Sequence, residues 1–360
     1  MIVRRLSILA VAVLAIGCSS HSAIQPTASV GGSAPQVYQS NGGGQWYVFS
    51  THTKLGFDAP IYWYGSGMSD VGSPGLLHID ERGNTTGQTE PFGSNMTSGE
   101  VIGPDGNLWV TDYSIYRVTQ GGQTSTYLPP RSNAGPITIG TDGALWFGET
   151  TADPELGRIT TSGSISEVPF QPPIGPYIAI YSIVTGSDGN FWAIGNFSGI
   201  DRITPSGAVT NFPVPKGGIE YASHLALGPD GAVWFAGYSS PGIYLGRMAV
   251  DGTTTEFDGG SPRAITFTAD GVLWTLTTYG AVQSFDLMTQ QFSNPVIAPS
   301  LHGTLTTIAS GPDGNLWLGT IGRVIAVYLR QSITVVPTSL TIGAPGMTAN
   351  VSVTETNYAG

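Results

Sequence analysis

From residue 37 onward the chain alternates short apolar stretches with small and polar residues, and no segment keeps a 3.6-residue apolar period. Stretches such as Ile137-Thr138-Ile139, Leu225-Ala226-Leu227 and Ile265-Thr266-Phe267 lead into an Asp-Gly pair. A second apolar run with a tryptophan then follows, as in Leu145-Trp146-Phe147 and Val233-Trp234-Phe235. This pattern predicts strands joined by tight hairpins, with positive φ at both Asp and Gly. After a variable loop, a third strand brings an arginine: Arg117, Arg158, Arg202, Arg247 or Arg323. A further turn (Thr161-Ser162-Gly163, Pro205-Ser206-Gly207, Asp251-Gly252) opens a fourth strand such as Ile165-Ser166-Glu167-Val168.

The unit repeats. Asp-Gly-x-x-Trp begins at Asp105, Asp142, Asp188, Asp230, Asp270 and Asp313, with successive aspartates 37, 46, 42, 40 and 43 residues apart. Gly42-Gly43-Gly44-Gln45-Trp46 reads as a degenerate copy, with Gly42 in place of the aspartate. Four antiparallel strands per period of about 42 residues is the pattern of a propeller blade. The expected fold is all-β, a seven-bladed β-propeller over residues 37–336, whose radial closure leaves no open sheet edge. The repeated arginines and tryptophans read as structural, since they recur from blade to blade and no single site needs so many. His78 takes the arginine's slot in the first blade.

The wording of the repeat (GPDGNLW, then GRIT, then SG) resembles the virginiamycin B lyase, or streptogramin lyase, family over residues 37–330. The resemblance implies a C–O lyase that opens a depsipeptide ester ring by elimination, with a general base and Mg²⁺ as cofactor. It also implies catalytic histidines seven positions before the turn aspartate. Those positions are Ser98, Gly135, Tyr181, Ser223, Arg263 and Thr306, and none is histidine. Arginine stays protonated at neutral pH and is no ordinary general base. The acidic residue implied after the tryptophan of a late blade is missing too, since Thr277 and Thr278 follow Trp274.

In a propeller, the loops from fourth to first strand and from second to third strand share one face, the expected ligand site. On it fall Asp112 and Glu149, each three residues after a repeat tryptophan, together with His224 and Arg263. His224, Arg263 and Glu149 are the candidates for catalysis, and Arg263 suits an anionic ligand. A structural role is the alternative for His224 and Glu149. Residues 50–75 read as a long insertion on the same face, with Phe57, Tyr62, Trp63 and Tyr64 as candidate ligand contacts. No metal-binding motif is present. Three functions follow as alternatives: binding of a small molecule, glycan or peptide; lyase chemistry with rearranged residues; or a structural scaffold.

Composition narrows the partners. The chain carries 13 basic and 24 acidic residues, a net charge of −11, which disfavours nucleic acid. Only 10% of residues are charged, while glycine numbers 51 and proline 25, as suits short strands and turns. Arg4 and Arg5 precede an apolar run, residues 6–16, that is too short to span a membrane. It ends at Cys18, the only cysteine, in a context that resembles a bacterial lipobox. The expectation is a lipidated signal over residues 1–18, a flexible linker over 19–36, and a monomer held at the cell envelope, periplasmic or surface-exposed, by its lipid alone. Residues 337–360 are expected to be a tail, the cut-short opening of an immunoglobulin-like domain. Residues 333–336 are expected to form the outer strand of the last blade.

Overall fold

The computed structural model describes residues 98–297, apart from 112, 120–122, 131–132, 150–154, 172–179, 196–198, 215–223 and 240–241, and flanking strands between 36 and 89 and between 305 and 356. Its regular structure is all-β, and among the described residues no helix is long and apolar enough to cross a membrane.

The repeat turn is built differently from the expectation. Gly103 N–H donates to the Asn107 carbonyl at 2.8 Å, and Gly106 N–H donates to the Gly103 carbonyl at 2.9 Å. Gly106 has φ 71°, whereas Asp105 keeps a negative φ, as do its equivalents Asp142, Asp188, Asp230 and Asp270. The hairpin is therefore a type I turn closed by one left-handed glycine. The aspartate is there for its carboxylate. Asp105 Oδ1 accepts from the Asn107 N–H at 3.2 Å and from Trp109 Nε1 at 3.0 Å.

Each period folds into one antiparallel sheet whose strands follow chain order. These sheets, numbered here as blades, span residues 61–89, 99–127, 134–169, 182–213, 224–258 and 262–297. Blade 7 combines Leu305–Ser310, Leu316–Thr320 and Val324–Leu329 with two strands from the start of the chain, Gln45–Ser50 and Gln36–Gln39. The first strands of successive blades lie side by side, and the series returns on itself where Leu305–Ser310 meets Ile61–Tyr64.

Three expectations change with this pairing. Trp46 does not sit in the first blade: it lies opposite Tyr328 on the outer part of blade 7. Residues 50–75 are not one long loop, because Ile61–Tyr64 and Gly67–Gly72 are the first two strands of blade 1. The fourth strand of blade 7 is Gln45–Ser50, with Gln36–Gln39 outside it, while Ser332–Val336 pairs with Ser352–Thr356 in a separate two-stranded sheet. Joining both ends of the chain in one blade closes a ring that has no covalent closure.

The core lies between the sheets. Trp109 packs with Ile137, Leu145 and Phe147 between blades 2 and 3, and Trp146 packs with Ile183, Phe191 and Ala193 between blades 3 and 4. Trp234 packs with Ile265, Leu273 and Phe285 between blades 5 and 6. Truncating such a residue costs about 3–5 kcal/mol.

In blades 3 and 5, size is exchanged across the strands at the residue before the arginine. Phe147 faces Gly157 and Phe235 faces Gly246, and a Cβ on either glycine would overlap the facing ring. In blade 4 the small partner is Ala193, and Asp201 occupies the space.

Candidate functional site

Antiparallel strands in order place two different chemistries at the two ends of each blade. The Asp–Trp–Arg unit occupies the turn end. Asp105 Oδ2 accepts from Arg117 Nε at 2.7 Å, and Asp142 and Asp230 Oδ2 accept from Arg158 and Arg247 Nε, each at 2.6 Å. Arg202 stands 3.9 Å from Asp188. The same guanidiniums lie over the tryptophans: Arg117, Arg158 and Arg202 are 6.0, 5.9 and 5.9 Å from the ring centroids of Trp109, Trp146 and Trp192. An aromatic from the fourth strand stacks on the ring in three blades, as Tyr127 does on Trp109 and Phe257 on Trp234.

Burial works against ionisation of Asp105, but hydrogen bonds from Asn107, Arg117 and Trp109 outweigh it and hold the carboxyl below its ordinary range. Asp142, Asp188 and Asp230 are lowered in the same way. These groups are fully engaged in holding the turn, so the turn end is structural.

The other end carries the candidates. Glu149 closes the second strand of blade 3, Arg263 lies near the start of the first strand of blade 6, and His224 opens the first strand of blade 5 opposite Ala236. They share an end but come from three different blades. Arg263 is positioned by a β-bulge: Pro262 pairs with Thr277 and Ala264 with Leu276, leaving Arg263 as the extra residue. The same irregularity recurs in blade 7, where Thr306 is extra between Leu305 and Thr307. In blade 3, Gly135 and Pro136 share one partner position. Bulges re-aim a side chain and bend the strand. The positions seven before the aspartate are thus special in the backbone of these three blades, and they hold Gly135, Arg263 and Thr306.

Glu149 belongs to a carboxylate group that the sequence did not single out. The register of the second and third strands, with Trp146 opposite Arg158, carries on to bring Glu155 beside Glu149, and Glu167 joins from the fourth strand. One carboxylate oxygen from each lies within 4.8 Å of the others. Glu149 and Glu155 are buried. Three carboxylates so close repel one another, and a cation between them would relieve that repulsion. Their hard oxygens suit a divalent ion such as Mg²⁺ or Ca²⁺. Among the described residues this donor set fits the Mg²⁺ that the resemblance implies. Blade 6 lacks the implied carboxylate: Thr277 is buried and its Oγ1 accepts from the Ala281 N–H at 2.9 Å.

Of the remaining candidates, Asp112, Phe57 and Cys18 lie outside the described residues. Tyr62, Trp63 and Tyr64 fall on the first strand of blade 1, paired with Ser69, Met68 and Gly67. The sequence reading also missed three exposed tyrosines at the loop end. Tyr113 and Tyr279 lie in second-to-third-strand loops, and Tyr181 occupies the seven-before position of blade 4. Exposure leaves no periodic trace in sequence, although Tyr181 stood among the positions already marked.

Comparisons with known proteins agree with this architecture. A solved streptogramin B lyase superposes with a TM-score of 0.66 at 22% identity, covering 79% of this chain and 98% of the other. A catalytically inactive virginiamycin B lyase from Staphylococcus aureus, crystallised with quinupristin, gives 0.66 at 24% identity, covering 79% and 99%. The WD40 β-propeller domain of Doa1 gives 0.60 at 12% identity, covering 82% and 96%. No curated protein matches in sequence. Residues 75–282 match the virginiamycin B lyase family model, and the chain belongs to that family.

Proposed function

We propose that this protein binds a small molecule, glycan or peptide at the loop end of its propeller and does not share the ring-opening activity of the lyases it resembles. The observation that carries this reading is the occupancy of the bulged positions. A glycine, an arginine and a threonine stand where the resemblance implies histidines, and none of them can take up a proton at neutral pH. A bulged backbone without a base keeps the means to present side chains to a ligand and loses the means to start an elimination.

Quinupristin is the natural first probe, because a relative was crystallised with it. The full chain, incubated with quinupristin and Mg²⁺, should leave the compound intact by mass spectrometry. Turnover that disappears in Glu149→Gln or His224→Ala would overturn the reading and establish the lyase instead. The carboxylates gathered at Glu149 favour that second reading. We also propose that the protein is exported and anchored through acylated Cys18. Cys18→Ala should then move it from the membrane to the soluble fraction, and retention on membranes after a high-salt wash would refute the anchor.

A further inference from the structure

The entry to blade 6 is strained. Gly259, Gly260 and Ser261 follow one another with φ of 103°, 67° and 40°. A serine in the left-handed region crowds its own backbone, and such residues persist where neighbours hold them. Here the Ser261 carbonyl accepts from the Thr278 N–H at 3.1 Å, which ties the strand entry to the second-to-third-strand loop of the same blade. Just past the tie, the bulge makes Arg263 the extra, half-buried residue. The tied loop carries Tyr279, 56% exposed. A guanidinium and an open aromatic ring therefore come from two segments stitched together by backbone.

The fold itself asks for no cation at this slot, since other blades place Ser98, Gly135 and Tyr181 there. Nor does Arg263 belong to the repeated arginines, which serve the tryptophans at the opposite end. We propose that this corner is a subsite for a single carboxylate on a small ligand, with Arg263 receiving the carboxylate and Tyr279 the adjoining apolar body. The proposal rests on the loop-end binding reading above and names the chemistry of the ligand. Arginine carries five donors in a fixed fork, more than a single partner uses, and that fork matches a carboxylate bidentately. Tyrosine offers a rigid, amphipathic surface at low entropic cost. The net charge of −11 limits the ligand's charge, because every further negative charge on a polyanion meets general repulsion.

The test is ligand-observed NMR on the full-length protein with N-acetyl-glycyl-phenylalanine, its C-terminal amide, glucuronic acid and glucose. At least one acid should bind about tenfold more tightly than its neutral counterpart, and the peptide and sugar arms separate the two sources of carboxylate. Arg263→Gln should erase the preference, Arg263→Lys should keep part of it, and Tyr279→Ala should weaken acid and neutral forms alike. Equal binding of acid and neutral forms, or a preference that survives Arg263→Gln, overturns this inference and leaves the binding function standing. No binding of any probe up to about 10 mM overturns both.

Discussion

Replacing Asp105 with alanine tests whether the repeated aspartate is the structural centre of its blade. The carboxylate holds Trp109 Nε1 at 3.0 Å, Asn107 N at 3.2 Å, Asn107 Nδ2 at 2.7 Å and Arg117 Nε at 2.7 Å. Trp109 is 0% exposed, so removing its acceptor strands a buried N–H at a cost of about 1–3 kcal/mol. The Asn107 contacts add about 1 kcal/mol. The Arg117 ion pair is partly solvated and adds about 0.5 kcal/mol.

The expected loss is about 2.5–4.5 kcal/mol, read as a fall in melting temperature of roughly 5–10 °C by circular dichroism. Asp105→Asn should lose less, because one oxygen can still accept from the indole. The pH dependence has a definite sign. The folded carboxyl is held below its ordinary 3.8, so its contribution is complete above that pH and is lost as pH falls through the folded value. The gap between wild type and Asp105→Ala should therefore be full at neutral pH and narrow in acid. A loss below about 0.5 kcal/mol, or a gap that ignores pH, would refute this account of the turn.

Gly140→Ala should cost about 2–4 kcal/mol, because its Cβ would come 2.5 Å from Trp146 Cδ1. Gly143→Ala meets open space and should cost only about 1 kcal/mol for its positive φ, a contrast readable in urea melts. Burial pushes the Asp201 carboxyl up to about 6, with the Asn211 amide opposing in part, so this residue favours the folded state most in acid and loses that advantage as pH rises from about 4 to 6. Asp201→Asn should match wild type near pH 4 and exceed its melting temperature at pH 8; the reverse order would refute the burial argument. Deleting residues 332–360 should barely change the melting temperature, whereas deleting residues 36–50 should lower it by several degrees, because blade 7 loses its outer strands.

Short-range pattern determined the blades themselves. The alternation of apolar stretches, the Asp-Gly turn, the tryptophan and the arginine lie within one period, and each hairpin closes over a few residues. Residue type alone therefore placed the strands and hairpins, whereas the turn type and the pairing of Trp146 with Arg158 and Trp234 with Arg247 came with the structure. The family resemblance was legible for the same reason, and so was the absence of histidine at the marked positions.

Tertiary structure decided how the ring closes and what the loop end contains. Gln45–Ser50 joins Val324–Leu329 across nearly the whole chain, and a ladder of backbone hydrogen bonds reads no side chains. Trp46 could thus pass for a repeat copy, and residues 333–336 for a closing strand. The bulge at Arg263 and the strain at Ser261 depend on how the fourth-to-first connection meets its neighbour. The gathering of Glu149, Glu155 and Glu167 depends on three strands sharing one register. Exposure, as at Tyr279, is a property of the assembled surface, because it is fixed by what packs nearby.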